Sequence, residues 1–165
     1  MSIQFEHAIE LPQSPERVFA LLDDLPQTPK WLARCVALEK LAPGENMVGQ
    51  KLRYTYREGG RTATMEGEIT ARVPNERLTC GYQDAMMDVV VDFRVSRAGV
   101  GTSLTHVITI TPKTFMARLF SSLIRKQLPN QTVTAMETLR VLLATDPGRD
   151  AAQAERPLAG SAAGR

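Results

Sequence analysis

Apolar residues recur at helical spacing through the last long segment of the chain, residues 114–145. They lie three or four positions apart, which predicts a helix with a wide apolar face. Because Pro129 lacks a backbone donor and its ring clashes with the carbonyl of Arg125, we expect a kink or short break at 128–130. The apolar positions are Met116, Leu119, Phe120, Leu123, Ile124, Leu128, Val133, Met136, Leu139, Leu142 and Leu143.

The start of the chain alternates between apolar and polar residues over Ile3–Leu11, which predicts a half-buried strand. Ser14 then suits a helix N-cap and Pro15 the first helical position, so a helix is expected from there to Pro26. A second, shorter helix is expected from Thr28. It should carry two apolar side chains inward, Trp31 and Leu32.

Between these helices and the last one, short alternating segments are separated by turns rich in Gly, Pro and Asn. Six strands are predicted, at 34–41, 50–57, 62–73, 77–83, 87–96 and 102–111. The connections are too short for crossover helices, so neighbouring strands should be antiparallel. The order of one strand, two helices, six strands and a long helix predicts one α+β domain over residues 1–145. Residues 146–165 are rich in Ala, Gly, Pro and charge, which predicts a disordered tail.

Composition narrows the functional classes. The 165 residues include 20 basic and 18 acidic ones, without the basic block expected of a nucleic-acid-binding protein. Cys35 and Cys80 form no CxxC pair, and His7 and His106 are the only histidines, so no metal is expected. The chain shows neither a signal peptide nor a membrane-spanning run. We therefore expect a cytoplasmic protein, with a monomer as the simplest state.

Alternation within the predicted strands assigns one face of the sheet to the interior, opposite the apolar face of the last helix. This face should contact a ligand if sheet and helix leave a space between them. The candidate ligand-binding residues are Tyr54, Tyr56, Met65, Cys80, Tyr82, Val91, Phe93, His106 and Ile108 from the strands, with Met116, Leu119 and Leu123 from the helix.

Candidate chemistry on this face is limited to His106 and the tyrosines. An inward imidazole beside phenols can polarise a carbonyl or move a proton, so His106 and Tyr82 are candidate catalytic residues. The alternative is a hydrogen-bonded core histidine with core tyrosines. Cys80 has no basic neighbour in the pattern and is expected to be a small hydrophobe. The opposite face should be a solvated surface that carries Glu66, Glu68, Asp88, Asp92 and Arg94.

Several motifs resemble the SRPBCC, or helix-grip, superfamily, and within it the polyketide cyclase/dehydrase-like branch. They are IxLPxSPERVFALLDDLPxTPxW over residues 9–31, VPNERL over 73–78, the Gly101-Thr102 pair, and MxxLR over 136–140. The resemblance implies a curved seven-stranded antiparallel sheet wrapped around the long C-terminal helix, with two short helices after the first strand. It also implies a cavity for a lipid, polyketide or quinone, with Trp31 as an aromatic plug.

Three functions remain open at this stage. The first is binding of a hydrophobic or aromatic small molecule between the sheet and the helix. The second is a polyketide cyclase or dehydratase in which His106 and a tyrosine act as acid and base. The third is a protein-interaction module with a packed core. No phosphate-binding loop, nucleophile elbow or HExxH motif occurs, so no cofactor is expected.

Overall fold

The computed structural model describes residues 1–145, so the predicted tail at 146–165 lies outside the described residues. The strands are Ile3–Leu11 (β1), Cys35–Lys40 (β2), Lys51–Glu58 (β3), Arg61–Val73 (β4), Arg77–Gln83 (β5), Met87–Ala98 (β6) and Gly101–Pro112 (β7). The helices are Pro15–Asp23 (α1), Phe115–Leu119 (α2) and Ser121–Thr145 (α3), with a 3₁₀ helix at Leu25–Lys30.

The seven strands form one antiparallel sheet, as predicted, and their order in the sheet is β1-β7-β6-β5-β4-β3-β2. The predicted strand ends agree with the observed ones to within two residues. Register shifts between Cys35 and Ala37 and between Ile69 and Ala71 mark bulges, which bend a strand and increase its twist. The sheet and the long C-terminal helix form the expected helix-grip fold.

The helical connection after β1 begins as the sequence predicts. Ser14 is the N-cap of α1, and its hydroxyl accepts a hydrogen bond from the Arg17 amide at 3.3 Å. Helix α1 ends at Asp23, three residues before the predicted end at Pro26. The Asp23 carboxylate there accepts two hydrogen bonds from Arg72 of β4, which joins the end of α1 to the sheet.

A second short helix follows α1, as predicted, but it begins at Leu25, three residues before the predicted start at Thr28. The structure has a 3₁₀ helix at Leu25–Lys30, which contains Pro26 and Pro29. Pro26 lies in the first turn, where the amide is unpaired in any helix, but Pro29 cannot donate the first α-helical bond, to Leu25. Bonds of the 3₁₀ type form instead, such as Gln27 N–H to the Asp24 carbonyl at 2.9 Å. Trp31 follows this turn and is buried, as predicted.

Of the kink or short break predicted at 128–130, the break is wrong, and the kink stays a prediction. Helix α3 runs through Pro129 without a break at 128–130, and the chain is interrupted at Phe120 instead. The flanking residues Leu128 and Thr132 are buried, and this packing offsets the hydrogen bond that Pro129 removes.

The outer face of the sheet contains one carboxylate that is not solvated. Asp92 is only 5% exposed, contrary to the prediction, because Arg77 and Arg94 cover it and Thr79 donates a hydrogen bond at 2.7 Å. Burial alone opposes ionisation, but these hydrogen bonds outweigh it and lower the pKa of Asp92. Glu66 and Arg94 are exposed, as expected, and Glu68 and Asp88 are half-buried.

Candidate ligand-binding cavity

A cavity of about 400 Å³ lies between the inner face of the sheet and α3. Its lining comes from β2 to β7, from residues 22–34 around Trp31 and from α3 between Ile124 and Thr138. A second concavity of about 640 Å³ runs along the outside of β2, beside Pro26 and Pro29. That groove faces solvent at the sheet edge, so the space between sheet and helix is the better candidate site.

Nine predicted ligand-binding residues line this cavity, and all nine lie on strands. Each strand is paired in antiparallel register with its neighbours, so alternate side chains of adjacent strands point to the same side. The nine are Tyr54, Tyr56, Met65, Cys80, Tyr82, Val91, Phe93, His106 and Ile108.

The three predicted helical residues do not line the cavity, and this part of the prediction is wrong. Met116, Leu119 and Leu123 are about half exposed and lie on the outer side of α2 and the first turn of α3. Periodicity identifies residues on one face, but the interruption at Phe120 separates that face from the cavity. The helical residues that line the cavity are Ile124, Gln127, Leu128, Asn130, Gln131, Thr132, Thr134, Ala135 and Thr138.

His106 lies in the cavity wall with no hydrogen-bond partner within residues 1–145 for either ring nitrogen. Its ring is 6% exposed and stacks on Phe93 with the centroids 4.6 Å apart. Burial, and secondarily the nearby His7, lowers the pKa of His106 to about 4. The imidazole is therefore neutral at pH 7, with one nitrogen that donates and one that accepts. Leaving buried polar atoms unpaired costs free energy, which a ligand would recover.

Trp31 supplies a polar group to the cavity wall, whereas the family resemblance predicted only an aromatic plug. Its indole Nε1 is buried without a partner in the described part of the chain, and the residue lines the cavity. The ring meets Phe93 edge-on, with centroids 5.8 Å apart. The signal available in the sequence was an inward tryptophan, whose N–H is a donor that needs an acceptor when buried.

The three tyrosines form a second group in the cavity wall. Tyr54 stacks on Tyr56 at 5.5 Å and meets Tyr82 at 5.4 Å. Gly67 makes room for this group, because a Cβ atom there would lie 2.6 Å from Cδ1 of Tyr82. Burial raises the pKa of Tyr54 and of Tyr82, so both hydroxyls remain protonated donors.

Both thiols are buried and unreactive. Burial raises the pKa of Cys80 to about 11 and that of Cys35 to about 12. Cys80 lies in the cavity wall, on the same strand as Tyr82, which also lines the cavity. Its environment is that of a small hydrophobic residue, not of a nucleophile.

A polar contact crosses the rim of the cavity from the sheet side to α3. The Arg34 guanidinium donates to Oε1 of Gln131 at 3.1 Å and lies 3.2 Å from the Glu58 carboxylate. The same guanidinium lies over the Tyr56 ring, 5.8 Å from its centroid. Exposed pairs of this kind contribute little free energy, so this contact can open at small cost.

Two other classes of site were searched for within residues 1–145. No group of three or more His, Cys, Asp or Glu side chains there lies close enough to hold a metal ion. No helix in the same range is long and apolar enough to cross a membrane.

A curved sheet that holds a long helix around an apolar cavity defines the START-like helix-grip class. The chain belongs to the polyketide cyclase/dehydrase and lipid transport family, whose model matches residues 2–132. A comparison with curated proteins finds no match.

Solved structures share the fold at low sequence identity. The Zhui aromatase/cyclase from Streptomyces sp. R1128 superposes with a TM-score of 0.73 at 12% identity, over 88% of this chain and 96% of that one. A START superfamily protein from Mycobacterium smegmatis has a TM-score of 0.72 at 14% identity, over 86% and 97%. A protein from Thermus thermophilus has a TM-score of 0.69 at 20% identity, over 88% and 99%.

Proposed function

We propose that the chain binds a hydrophobic or aromatic small molecule, of the lipid, polyketide or quinone class, in the cavity between the sheet and α3. The observation that carries the proposal is a largely apolar cavity in which the buried polar atoms of His106 and Trp31 have no partner within residues 1–145. A volume of about 400 Å³ lies within the range of small-molecule sites.

The wall also indicates which ligand chemistry fits. The Trp31 N–H is a donor only, and neutral His106 supplies one donor and one acceptor. A carbonyl or hydroxyl oxygen beside either side chain would satisfy an atom that is otherwise buried without a partner within residues 1–145. The rest of the ligand would pack against the apolar wall, where Val91 and Ile108 lie, and burial of apolar surface would supply most of the affinity.

The test is a panel of quinones, aromatic polyketides and fatty acids, measured by thermal unfolding and native mass spectrometry. We expect at least one class to raise the melting temperature, since a ligand that binds only the folded state stabilises it. Failure of every class in both measurements would contradict the proposal.

A matched pair of variants localises the binding. His106→Phe should lower the affinity for the ligand about tenfold, because one hydrogen bond is lost. His7→Phe is the control, because His7 faces His106 in the β1–β7 register but does not line the cavity. Equal losses in both variants would show that the effect is not local to the cavity.

A cyclase or dehydratase activity is the second candidate, and the free ring nitrogens of His106 favour it. The contacts place His106 beside Phe93, whereas Tyr82 contacts Tyr54 and Cys80. A pKa of about 4 makes His106 a weak base at neutral pH. Product formation that is lost in His106→Ala while binding is retained would favour catalysis. Full turnover in that variant would exclude His106 as the acid or base.

The cavity also argues against the third reading, an interaction module with a packed core, because that reading requires the chain's own side chains to fill this space. A cytoplasmic location and a monomeric state remain predictions from the sequence. Gel filtration and cell fractionation are the measurements that check them.

A further inference from the structure

A second apolar surface lies outside the cavity, on α2 and the first turn of α3. Five large side chains there are about half or more exposed, and they lie close together in sequence across the junction between the two helices. This apolar patch consists of Phe115 (72% exposed), Met116 (53%), Leu119 (57%), Phe120 (51%) and Leu123 (49%). Clustered exposure of this kind marks an interaction site more often than scattered single residues do.

The charged residues of the segment that carries the apolar patch are all basic. Residues 113–136 contain four basic side chains and no acidic one, and the next carboxylate is Glu137. Lys113 pairs with Asp88 of β6 at 3.2 Å. The other three, Arg118, Arg125 and Lys126, are exposed on the helices that carry the patch. The chain as a whole is close to neutral, so this segment is a local concentration of positive charge.

We propose that the apolar patch docks on a lipid surface that carries anionic headgroups. Phe and Leu side chains with Lys and Arg beside them are the composition of segments that lie in the membrane interface, with the apolar side chains at the acyl boundary and the cations among the headgroups. A second copy of the chain fits less well, because a two-fold contact between two such patches would bring the cations of both copies to one interface.

The apolar patch is continuous, along α3, with the wall of the cavity. Ile124 and Leu128 line the cavity and follow Leu123 within two turns of the same helix. Contact with lipid would therefore act on the helix that covers the cavity. Docking of the apolar patch on a lipid surface is a property distinct from ligand binding in the cavity.

Co-sedimentation with vesicles tests the proposal on the full chain. Vesicles of phosphatidylcholine alone are compared with mixed phosphatidylcholine and phosphatidylglycerol vesicles, at low and high salt. We expect binding to the mixed vesicles, little binding to phosphatidylcholine alone, and weakening by salt. No binding to the mixed vesicles, or equal binding to both kinds, would overturn the proposal.

Variants separate the apolar and charged contributions. Leu119→Asp should abolish detectable binding, and Leu119→Asn serves if the first variant does not fold. Arg118→Gln with Lys126→Gln should weaken binding about 25-fold, at about fivefold per cation. Val100→Asp is the matched control, because Val100 is 94% exposed in the β6–β7 turn, outside the patch. Equal loss in the Val100→Asp control would overturn the proposal.

Two further readouts complete the test. The Leu119 variants should keep the melting temperature and the cavity ligand of the unchanged protein, so a failed docking result is distinguishable from a failed ligand-binding result. Light scattering would overturn the proposal if it showed dimers that depend on the apolar patch while the protein does not bind vesicles. A second copy of the chain, not a lipid surface, would then cover the patch. Binding of the patch to an acidic protein but not to phosphatidylglycerol vesicles would likewise overturn the assignment.

Discussion

The two halves of α3 lie over the same sheet but differ in what fills the space beneath them. In the C-terminal half, Met136 and Leu139 are fully buried in the main core with α1 and Trp31. In the N-terminal half, Leu128 joins a small cluster with Ile3 and Ile110, and much of the remaining space is cavity. One helix therefore anchors the fold at one end and bounds the proposed binding site at the other.

The largest expected effect is a large-to-small substitution in the packed half. Leu139→Ala should lower the free energy of unfolding by about 2–5 kcal/mol, because it removes buried methyl groups and leaves a cavity. Leu119→Ala, on the exposed patch, should change it by less than about 0.5 kcal/mol. Urea unfolding of both variants measures the difference. Similar losses would mean that the contrast between the two regions is wrong.

The next effect is a pH dependence that comes from His106 in the cavity wall. The pKa of His106 falls from an ordinary 6.5 to about 4 on burial, so the unfolded chain binds the proton more tightly than the folded one. Stability should therefore be fully present above pH 6.5, fall between pH 6.5 and 4, and change no further from this group below pH 4. The loss should be on the order of 3 kcal/mol.

Substitution of the group itself provides the control for this pH dependence. His106→Phe should flatten the unfolding profile between pH 6.5 and 4. Asp23 and Asp92 have lowered pKa values, so their contributions are lost at lower pH, below the ordinary carboxyl range. An unchanged profile in the His106→Phe variant would contradict the assignment.

A smaller effect is expected at the tyrosine group. Gly67→Ala should cost about 1–3 kcal/mol and displace the Tyr82 ring, because the added Cβ meets that ring at 2.6 Å. Gly81→Ala is the control, since its Cβ would meet only Thr70, at 3.7 Å. Thermal unfolding and the aromatic NMR signals report the two consequences separately. Equal costs would show that strand propensity, not the ring contact, decides the result.

The smallest effect compares one substitution in the two regions. Val18→Leu adds a methylene to a fully buried position on α1 and should cost about 1–3 kcal/mol. Val91→Leu points the same methylene into the cavity and should cost less than about 1 kcal/mol. Val91→Leu should weaken ligand binding, whereas Val18→Leu should not. Isothermal titration with a ligand from the panel checks this difference.

The strand half of the site could be predicted because alternation along a strand fixes its face. His106 and Tyr82 line the cavity because each lies at an even spacing from apolar neighbours on a regular strand. The helical half failed because 3.6-residue periodicity continues across the interruption at Phe120, so Leu119 carries the same signal whether buried or exposed. The burial of Asp92 was not predicted because Arg77, one of the two arginines that cover it, lies on the neighbouring strand β5.

The buried thiol of Cys80 has a practical consequence. It lies in the cavity wall and stays protonated, so an alkylating reagent can reach it as a thiolate only when the interior is transiently exposed to solvent. The rate of alkylation of Cys80 therefore reports how often the cavity opens to solvent. A bound guest should slow that rate, whatever the guest's colour or fluorescence.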